Sequence, residues 1–502
     1  MMPAAVLRTP KYEDMKWLAR AAVFLFGAAV LAVLAVLTNG NVAIPSGLVC
    51  VLTGVFVIAV RPAVGFAFLI FMTLLCEQFG IGGLKTPITL MIPMFLNLNL
   101  LGVPGGVVNL VELWMALLAL SWIMRIIATR RFDFQPVPNL WAVLAFMGTL
   151  IFFMGYGLAQ HGDFKTALWE VRALFYLCLA YLLGTQLIRT RAEMILVTWA
   201  IVISVAIKGL QGIYRYLIEL GGDLGEIPAI TGHEDAVFMV IVFILTIALV
   251  FFRSSQWRLI RFGIMTFPTT FLTFVLTQRR IAYGALAFGM IILFAFMPRA
   301  QKWLFVRLSL PMIPVALLYA AVFWNSSGTL AMPIQQVKSI FESDDDGADR
   351  SNLYREIENF NLQETIKAYP QGIGFGKKYL IIIPLDEIDF PLWEYIPHNC
   401  ILWPWVKMGF LGFWVFWIFF GMFIVQIAWD FRFTCDAFYR SIQVLAVIFI
   451  VCQCIVSKYD LQLTFYRNMI FLGAVLALTV TARQLGGAAE EERKRKVLLL
   501  CR

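Results

Sequence analysis

The sequence predicts an all-α polytopic membrane protein of about fourteen transmembrane helices with one large extracytoplasmic loop. Three observations carry that expectation. The chain is 61% hydrophobic and only 14% charged, whereas soluble domains sit near a quarter charged. Apolar runs recur from Leu18 to Val480, each near the roughly 20 residues a helix needs to cross a hydrocarbon core about 30 Å thick. Lys and Arg alternate between successive short connections, which is how membrane orientation is written into a sequence.

In chain order the expected spans are 18–38, 42–60, 63–80, 106–128, 140–158, 169–188, 194–216, 235–252, 262–277, 280–298, 303–324, 399–428, 441–457 and 464–482. The first run is longer than the core of a signal peptide and another comes at once after it, so it reads as a retained span. Residues 81–105 are apolar but cut by Pro87, Pro93 and Pro104, which suits a re-entrant or interfacial element. Every second connection is basic: Arg8, Lys11, Lys16 and Arg20 in the N-terminal tail, then Arg61, the Arg125–Arg131 group, Arg189 and Arg191, and so on to the tail with Arg483 and Arg493. The intervening connections are neutral or acidic, as in Glu219, Asp223 and Glu226. Both termini are therefore expected in the cytoplasm, with the loop at 325–397 outside. The expected domains are an N-terminal transmembrane bundle at 1–324, the loop with its helix at 325–397, C-terminal transmembrane helices at 398–483, and a charged cytoplasmic tail at 484–502.

The net charge of +9 is accounted for by orientation, so no nucleic-acid partner is expected; the partner is the lipid bilayer. The eight cysteines lie mostly in apolar runs and show no ligand spacing with histidines, so neither a metal nor a cofactor is expected.

Several cations lie on the outer side in or beside apolar spans: Arg172 beside Glu170, Lys208, Arg215, and the adjacent Arg279 and Arg280. An intramembrane cation costs at least about 2.5–3.5 kcal/mol, so each needs a partner or a wet cavity. Singly, each is explained by snorkelling to headgroups or, for Arg172, by a pair with Glu170 or another carboxylate. Together they gather on the face that orientation should deplete of basic residues. Such a cluster suits a phosphate or diphosphate, whose oxygens match guanidinium forks. Lys208 and Arg215 are seven apart and share a helix face.

Within the loop, Asp344–Asp346 have the donors of a divalent-ion site or form a solvated acidic run. Residues 350–368 carry a helical pattern. GIGFG at 372–376 is a glycine turn, not a dinucleotide fingerprint, because no strand and helix flank it. The chain holds three histidines, and one of them, His398, stands where the loop returns to a span. A histidine there anchors or caps a span, accepts a proton from a hydroxyl, or contacts a phosphate. Asn399 is placed to orient it or to hold a sugar hydroxyl, and Gly409 and Gly412 to let another helix come close.

The pattern His398-Asn399, nine residues, Gly409-x-x-Gly412 resembles the signature of the O-antigen ligase family. That group of polytopic bacterial glycosyltransferases also includes O-antigen and exopolysaccharide polymerases and some protein O-oligosaccharyltransferases. TQRRIAYGALA at 277–287 resembles the family's arginine at the start of a span. RSNLYREIENFNLQETIKAYPQGIGFG at 350–376 resembles its loop. The likeness covers about residues 265–425. It departs in having Arg279-Arg280-Ile281 where a small residue is expected beside the arginine, so both arginines stay candidates.

The resemblance implies a GT-C-like fold and a metal-independent transferase in the bacterial inner membrane, with its active site on the periplasmic face. A glycan on undecaprenyl diphosphate is attacked by an acceptor hydroxyl, and the lipid diphosphate leaves. His398, Arg280 and Arg279 are the catalytic candidates. Arg215, Lys208, Arg172 and Asn399 are candidates for holding the diphosphate or substrate. Glu234 and Asp235 are alternative bases. The acceptor is another lipid-linked glycan, making a polymerase, or a lipid A core, making a ligase; polymerase is preferred. A polytopic transporter or flippase is the reading of another class.

Overall fold

A computed structural model describes residues 53–81, 84, 92, 94–101, 107–130, 134–224, 227, 229–326, 328, 330–341, 348–386, 388 and 390–500. The chain divides into two compact units, Met1–Gly65 and Phe66–Arg502. The second holds every residue of the candidate site.

Among the described residues the chain forms fifteen helices: α1 (Pro62–Leu75), α2 (Leu110–Thr129), α3 (Leu140–Ala159), α4 (Phe164–Leu187), α5 (Arg191–Tyr214), α6 (His233–Phe251), α7 (Trp257–Leu276), α8 (Arg280–Phe296), α9 (Arg299–Ser309), α10 (Met312–Phe323), α11 (Met332–Phe341), α12 (Ala348–Ala368), α13 (Trp403–Phe433), α14 (Ala437–Val456) and α15 (Tyr466–Leu500). A π turn at Arg215–Glu219 extends α5. Ten segments among the described residues are long and apolar enough to cross a membrane, with α9 and α10 counted as one, and α1 and α8 are shorter apolar helices. These twelve correspond to the third to fourteenth expected spans. The first expected span lies outside the described residues, as do most of the second, most of the element at 81–105, and Asp344–Asp346.

Local signals set the helix ends. Asn109 with Glu112, and Thr190 with Glu193, form reciprocal capping boxes at α2 and α5. Asp163 and Asp436 cap α4 and α14. Small residues let helices approach closely. A Cβ on Gly473 of α15 would lie 2.4 Å from the Leu177 carbonyl oxygen of α4, and one on Gly212 of α5 would lie 2.2 Å from Thr273 of α7. Thr273 also donates its hydroxyl to the Gly209 carbonyl at 2.7 Å.

The structure differs from the sequence expectation in four places. The third expected span, 63–80, stops at Leu75, and its last residues hold the buried Glu77. The loop at 325–397 contains α11, which short-range periodicity does not reveal, besides the expected helix at 350–368. The span expected at 399–428 begins at Trp403, because Asn399 Oδ1 accepts the Ile401 and Leu402 amides at 3.1 and 3.2 Å. The tail does not leave the last span as a separate segment; α15 runs on to Leu500.

Gly409 also does something other than admit a second helix. It breaks α13 with φ 61° and ψ −169°, a conformation open to glycine. The break diverts backbone hydrogen bonds to the loop. Phe410 N–H donates to the Pro370 carbonyl at 3.3 Å, and the Val406 and Lys407 carbonyls accept from Ile373 and Gly374 at 2.9 and 3.0 Å. The glycine turn of the loop is thereby laced into the span. Beneath it, Lys407 Nζ pairs with Glu170 at 2.7 Å, and Glu170 accepts the Gly376 amide at 2.6 Å.

A Cβ on Gly409 would stand 2.3 Å from the Gln371 carbonyl carbon, whereas one on Gly421 of the same helix would meet nothing. Gly409→Ala is expected to lower the unfolding temperature in detergent by several degrees, from backbone strain of about 1–3 kcal/mol plus the clash. Gly421→Ala is expected to leave it unchanged or raise it slightly. Equal effects at the two positions would show that the break carries no structural role.

Candidate functional site

A cavity of about 1110 Å³ lies where six separate chain segments meet, the one after α1 among them. The α7–α8 turn supplies Arg279 and Arg280, the start of α6 supplies His233 and Glu234, and α12 supplies Arg355. The segment before α13 supplies His398, and the α14–α15 turn supplies Asp460. Apolar side chains such as Phe79, Phe390 and Phe465 complete the wall. The two arginines sit side by side because the α7–α8 turn is short. Gln278 takes a left-handed φ of 54°, which reverses the chain between Leu276 and Arg280.

Among the described residues the carboxylates on this wall are Glu77, Glu234 and Asp460, and the first two are paired with buried cations. Glu77 binds Arg215 at 2.6 and 2.9 Å and Lys208 at 2.8 Å. Glu234 binds Arg467 at 2.7 Å. Asp235, beside them, takes Arg467 at 2.6 Å and Lys208 at 3.5 Å. Three buried carboxylates thus meet three buried cations. Asp460 contacts His233 at 3.2 Å and acts on Arg279 and Arg355. Burial depresses the Arg279 guanidinium, with Arg355 adding repulsion against the help of Asp460 and Glu234. Burial likewise depresses Arg355, with Arg280 adding repulsion. Among the described residues the Nε donors of Arg279 and Arg355 meet no hydrogen-bond acceptor. An arginine stays protonated under such conditions, so the surroundings favour an anion.

His398 faces this cavity and is held by the loop helix. Its Nδ1 lies 3.1 Å from Glu358 Oε1, and its backbone N–H donates to Glu358 Oε2 at 3.0 Å. Glu358 is 1% exposed. As a carboxylate it accepts from Nδ1–H, which leaves Nε2 as the proton acceptor of the ring. The Tyr354 ring stands edge-on to the imidazole, with centroids 5.5 Å apart. Asn399 is occupied otherwise: besides its capping role it donates to Asn359 Oδ1 at 2.7 Å. His398-Asn399 therefore docks on the neighbouring pair Glu358-Asn359, which fixes α12 over the cavity.

Of the residues singled out from the sequence, the structure brings Arg279, Arg280, His398 and Glu234 to one wall. It does not bring the others there. Lys208, Arg215 and Asp235 lie behind the wall in the buried network. Arg172 binds Glu112 at 3.1 Å, Asn97 at 2.9 Å and the Val107 carbonyl at 2.7 Å, joining α4 to α2 and the preceding segment; Glu170, its neighbour in sequence, is taken by Lys407. Several residues of the cavity and its support, among them Glu77, Arg467, Asp460, Arg355 and Glu358, are not among the sequence candidates. Arg467, inside the last span, carries the same signal as Lys208, a cation in an apolar run. Asp460 is an acid beside two spans. Arg355 and Glu358 are spaced three apart on the helix expected at 350–368, whose apolar spacing marks the helix but does not single out one charged residue from the next. Among the described residues no group of three or more His, Cys, Asp or Glu is arranged to hold a metal ion.

Residues 265–417 match the family model described as O-Antigen ligase. The matched stretch contains Arg279, Arg280, Arg355, Glu358 and His398, while His233, Asp460 and the buried network lie outside it. No curated protein matches the chain.

Asp460 gives the wall a pH signature. Burial pushes its carboxyl up, but His233, Arg279 and hydrogen bonds from His233 and Gln462 outweigh burial and hold it well below the usual range. Its stabilisation is therefore present above the unfolded value of about 3.9 and lost as pH falls through the lower folded value. Asp460→Asn is expected to melt below the wild type at neutral pH, and the gap to begin closing below about pH 4. A gap that stays constant with pH would mean that the substitution acts through packing.

Proposed function

We propose that this chain, which carries an O-antigen ligase family domain over residues 265–417, polymerises glycan units carried on undecaprenyl diphosphate at the outer face of the bacterial inner membrane. The observation that carries this reading is the meeting of Arg279, Arg280, Arg355 and His398 in one cavity. The three guanidiniums cradle the donor diphosphate and stabilise the charge that grows on it as the anomeric carbon–oxygen bond breaks. His398, its Nδ1 held by Glu358, takes the proton of the attacking hydroxyl at Nε2. The guanidiniums supply the positive charge that a divalent ion supplies in other phosphate sites, so the reaction needs no metal. The alternation of basic connections supports an outward-facing cavity and cytoplasmic termini. A ligase differs only in offering a lipid A core as acceptor.

Purified protein given lipid-linked oligosaccharide is expected to make longer chains; transfer to added lipid A core instead identifies the ligase. Arg280→Ala, Arg355→Ala and His398→Ala are each expected to lower turnover by about a hundredfold or more. Glu358→Gln is expected to lower turnover while leaving the KM for donor unchanged. Excess chelator is expected to change nothing. Full activity in both Arg280→Ala and His398→Ala would remove the assignment.

A further inference from the structure

The cavity holds two imidazole–carboxylate pairs, and the proposed transfer uses one. The second is His233 with Asp460, whose Nδ1 and Oδ2 lie 3.2 Å apart. Asp460 is fixed independently: it accepts the Leu461 amide at Oδ1, 2.8 Å away, and the Gln462 side-chain amide at Oδ2, 2.9 Å away. As a carboxylate it can only accept, so the His233 Nδ1–H donates to it and Nε2 is the ring atom left for another partner. His233 is 46% exposed and lines the cavity, as a group that meets a ligand must.

The two pairs occupy different electrical surroundings. Asp460 acts on both Arg279 and Arg355, while Glu358 acts on Arg355 alone of these two. The His233 pair therefore belongs to the arginine side, where the diphosphate is read. The His398 pair is backed by Tyr354 and the loop helix.

We propose that His233, oriented by Asp460, is a second catalytic residue: it donates a hydrogen bond to the donor diphosphate and then a proton to it as it leaves. This rests on the diphosphate reading of the cavity. In the step, the acceptor oxygen bonds to the anomeric carbon and loses its proton to His398. The bond from that carbon to the phosphate oxygen breaks, its electron pair stays on the oxygen, and the His233 proton neutralises it. Both imidazoles then exchange protons with external water before the next turnover.

The charged groups around His233 are accounted for on each side. On its own helix, Glu234 and Asp235 are taken by Arg467. Arg279 and Arg280 face it from the α7–α8 turn, Arg355 from α12 and Asp460 from the α14–α15 turn. Asp460 holds His233 through the Nδ1 contact and acts as a positioning residue.

The test is binding of sugar-free undecaprenyl diphosphate to the purified full chain, beside turnover of the lipid-linked glycan and an unfolding temperature for each variant. His233→Ala is expected to weaken binding about tenfold, the loss of one hydrogen bond to a charged group, and to slow turnover. His233→Gln, which keeps a donor, recovers binding in part but not turnover. Asp460→Asn is expected to lower kcat while changing the KM for donor less, and to weaken binding of the probe less than His233→Ala does. His398→Ala binds normally and does not turn over. Should His233→Ala fail to fold, normal turnover in a folded His233→Gln overturns the proposal. Wild-type binding and turnover in His233→Ala, with weak binding in Arg280→Ala, also overturns it and leaves the diphosphate reading standing. A wild type that does not bind the probe overturns both.

Discussion

Ionised side chains buried behind one cavity must neutralise one another, and the rest of the site depends on how they do it. Glu77, Glu234 and Asp235 meet Lys208, Arg215 and Arg467 at 2.6–3.5 Å. Removing one partner of a buried pair costs about 3–5 kcal/mol, because the other is left uncompensated. The network thus ties α5, α6 and α15 and the segment after α1 to one another, and it occupies the acids nearest the cavity. Glu77 and Glu234 spend their hydrogen bonds on Arg215, Lys208 and Arg467, and Glu234 reaches Arg279 only through space.

A second constraint couples the wall to the outer loop. His398 and Gly409 stand eleven residues apart, and each engages the loop by a different means. Gly409 opens the helix so that two of its carbonyls take loop amides, while His398-Asn399 grips Glu358-Asn359 on α12. Between them the loop is held at both ends, and Arg355 arrives at the cavity one turn from Glu358. The spacing that resembles a family signature therefore has a mechanical content: it sets where a helix starts, where it breaks, and which residues of the loop it receives.

Much of this is legible in the sequence, for physical reasons that also mark where legibility stops. Twelve expected spans correspond to helices because long apolar runs admit few alternatives in a bilayer. Arg279, Arg280 and His398 stand out because charged residues beside apolar runs demand an explanation, and the cavity brings them together. The same logic points to Lys208 and Arg215 as ligand contacts, yet their partner Glu77 sits more than a hundred residues away, in the tail of a span, and no local pattern announces it. Arg467 and Lys407 carry the same signal, a cation within an apolar run, and are not among the sequence candidates. Arg355, Glu358 and Asp460 lie in polar stretches where one charge looks like the next, so tertiary placement alone distinguishes them. Asn399 carries a role the sequence does not announce: its side chain accepts the Ile401 and Leu402 amides and donates to Asn359.

The most direct measurement is a structure of the full chain with undecaprenyl diphosphate bound. The diphosphate is expected within hydrogen-bond reach of Arg279, Arg280 and Arg355, with the imidazole of His398 facing the anomeric side. A diphosphate held by Lys208 and Arg215 after displacement of Glu77, or bound elsewhere on the chain, would contradict the proposed site.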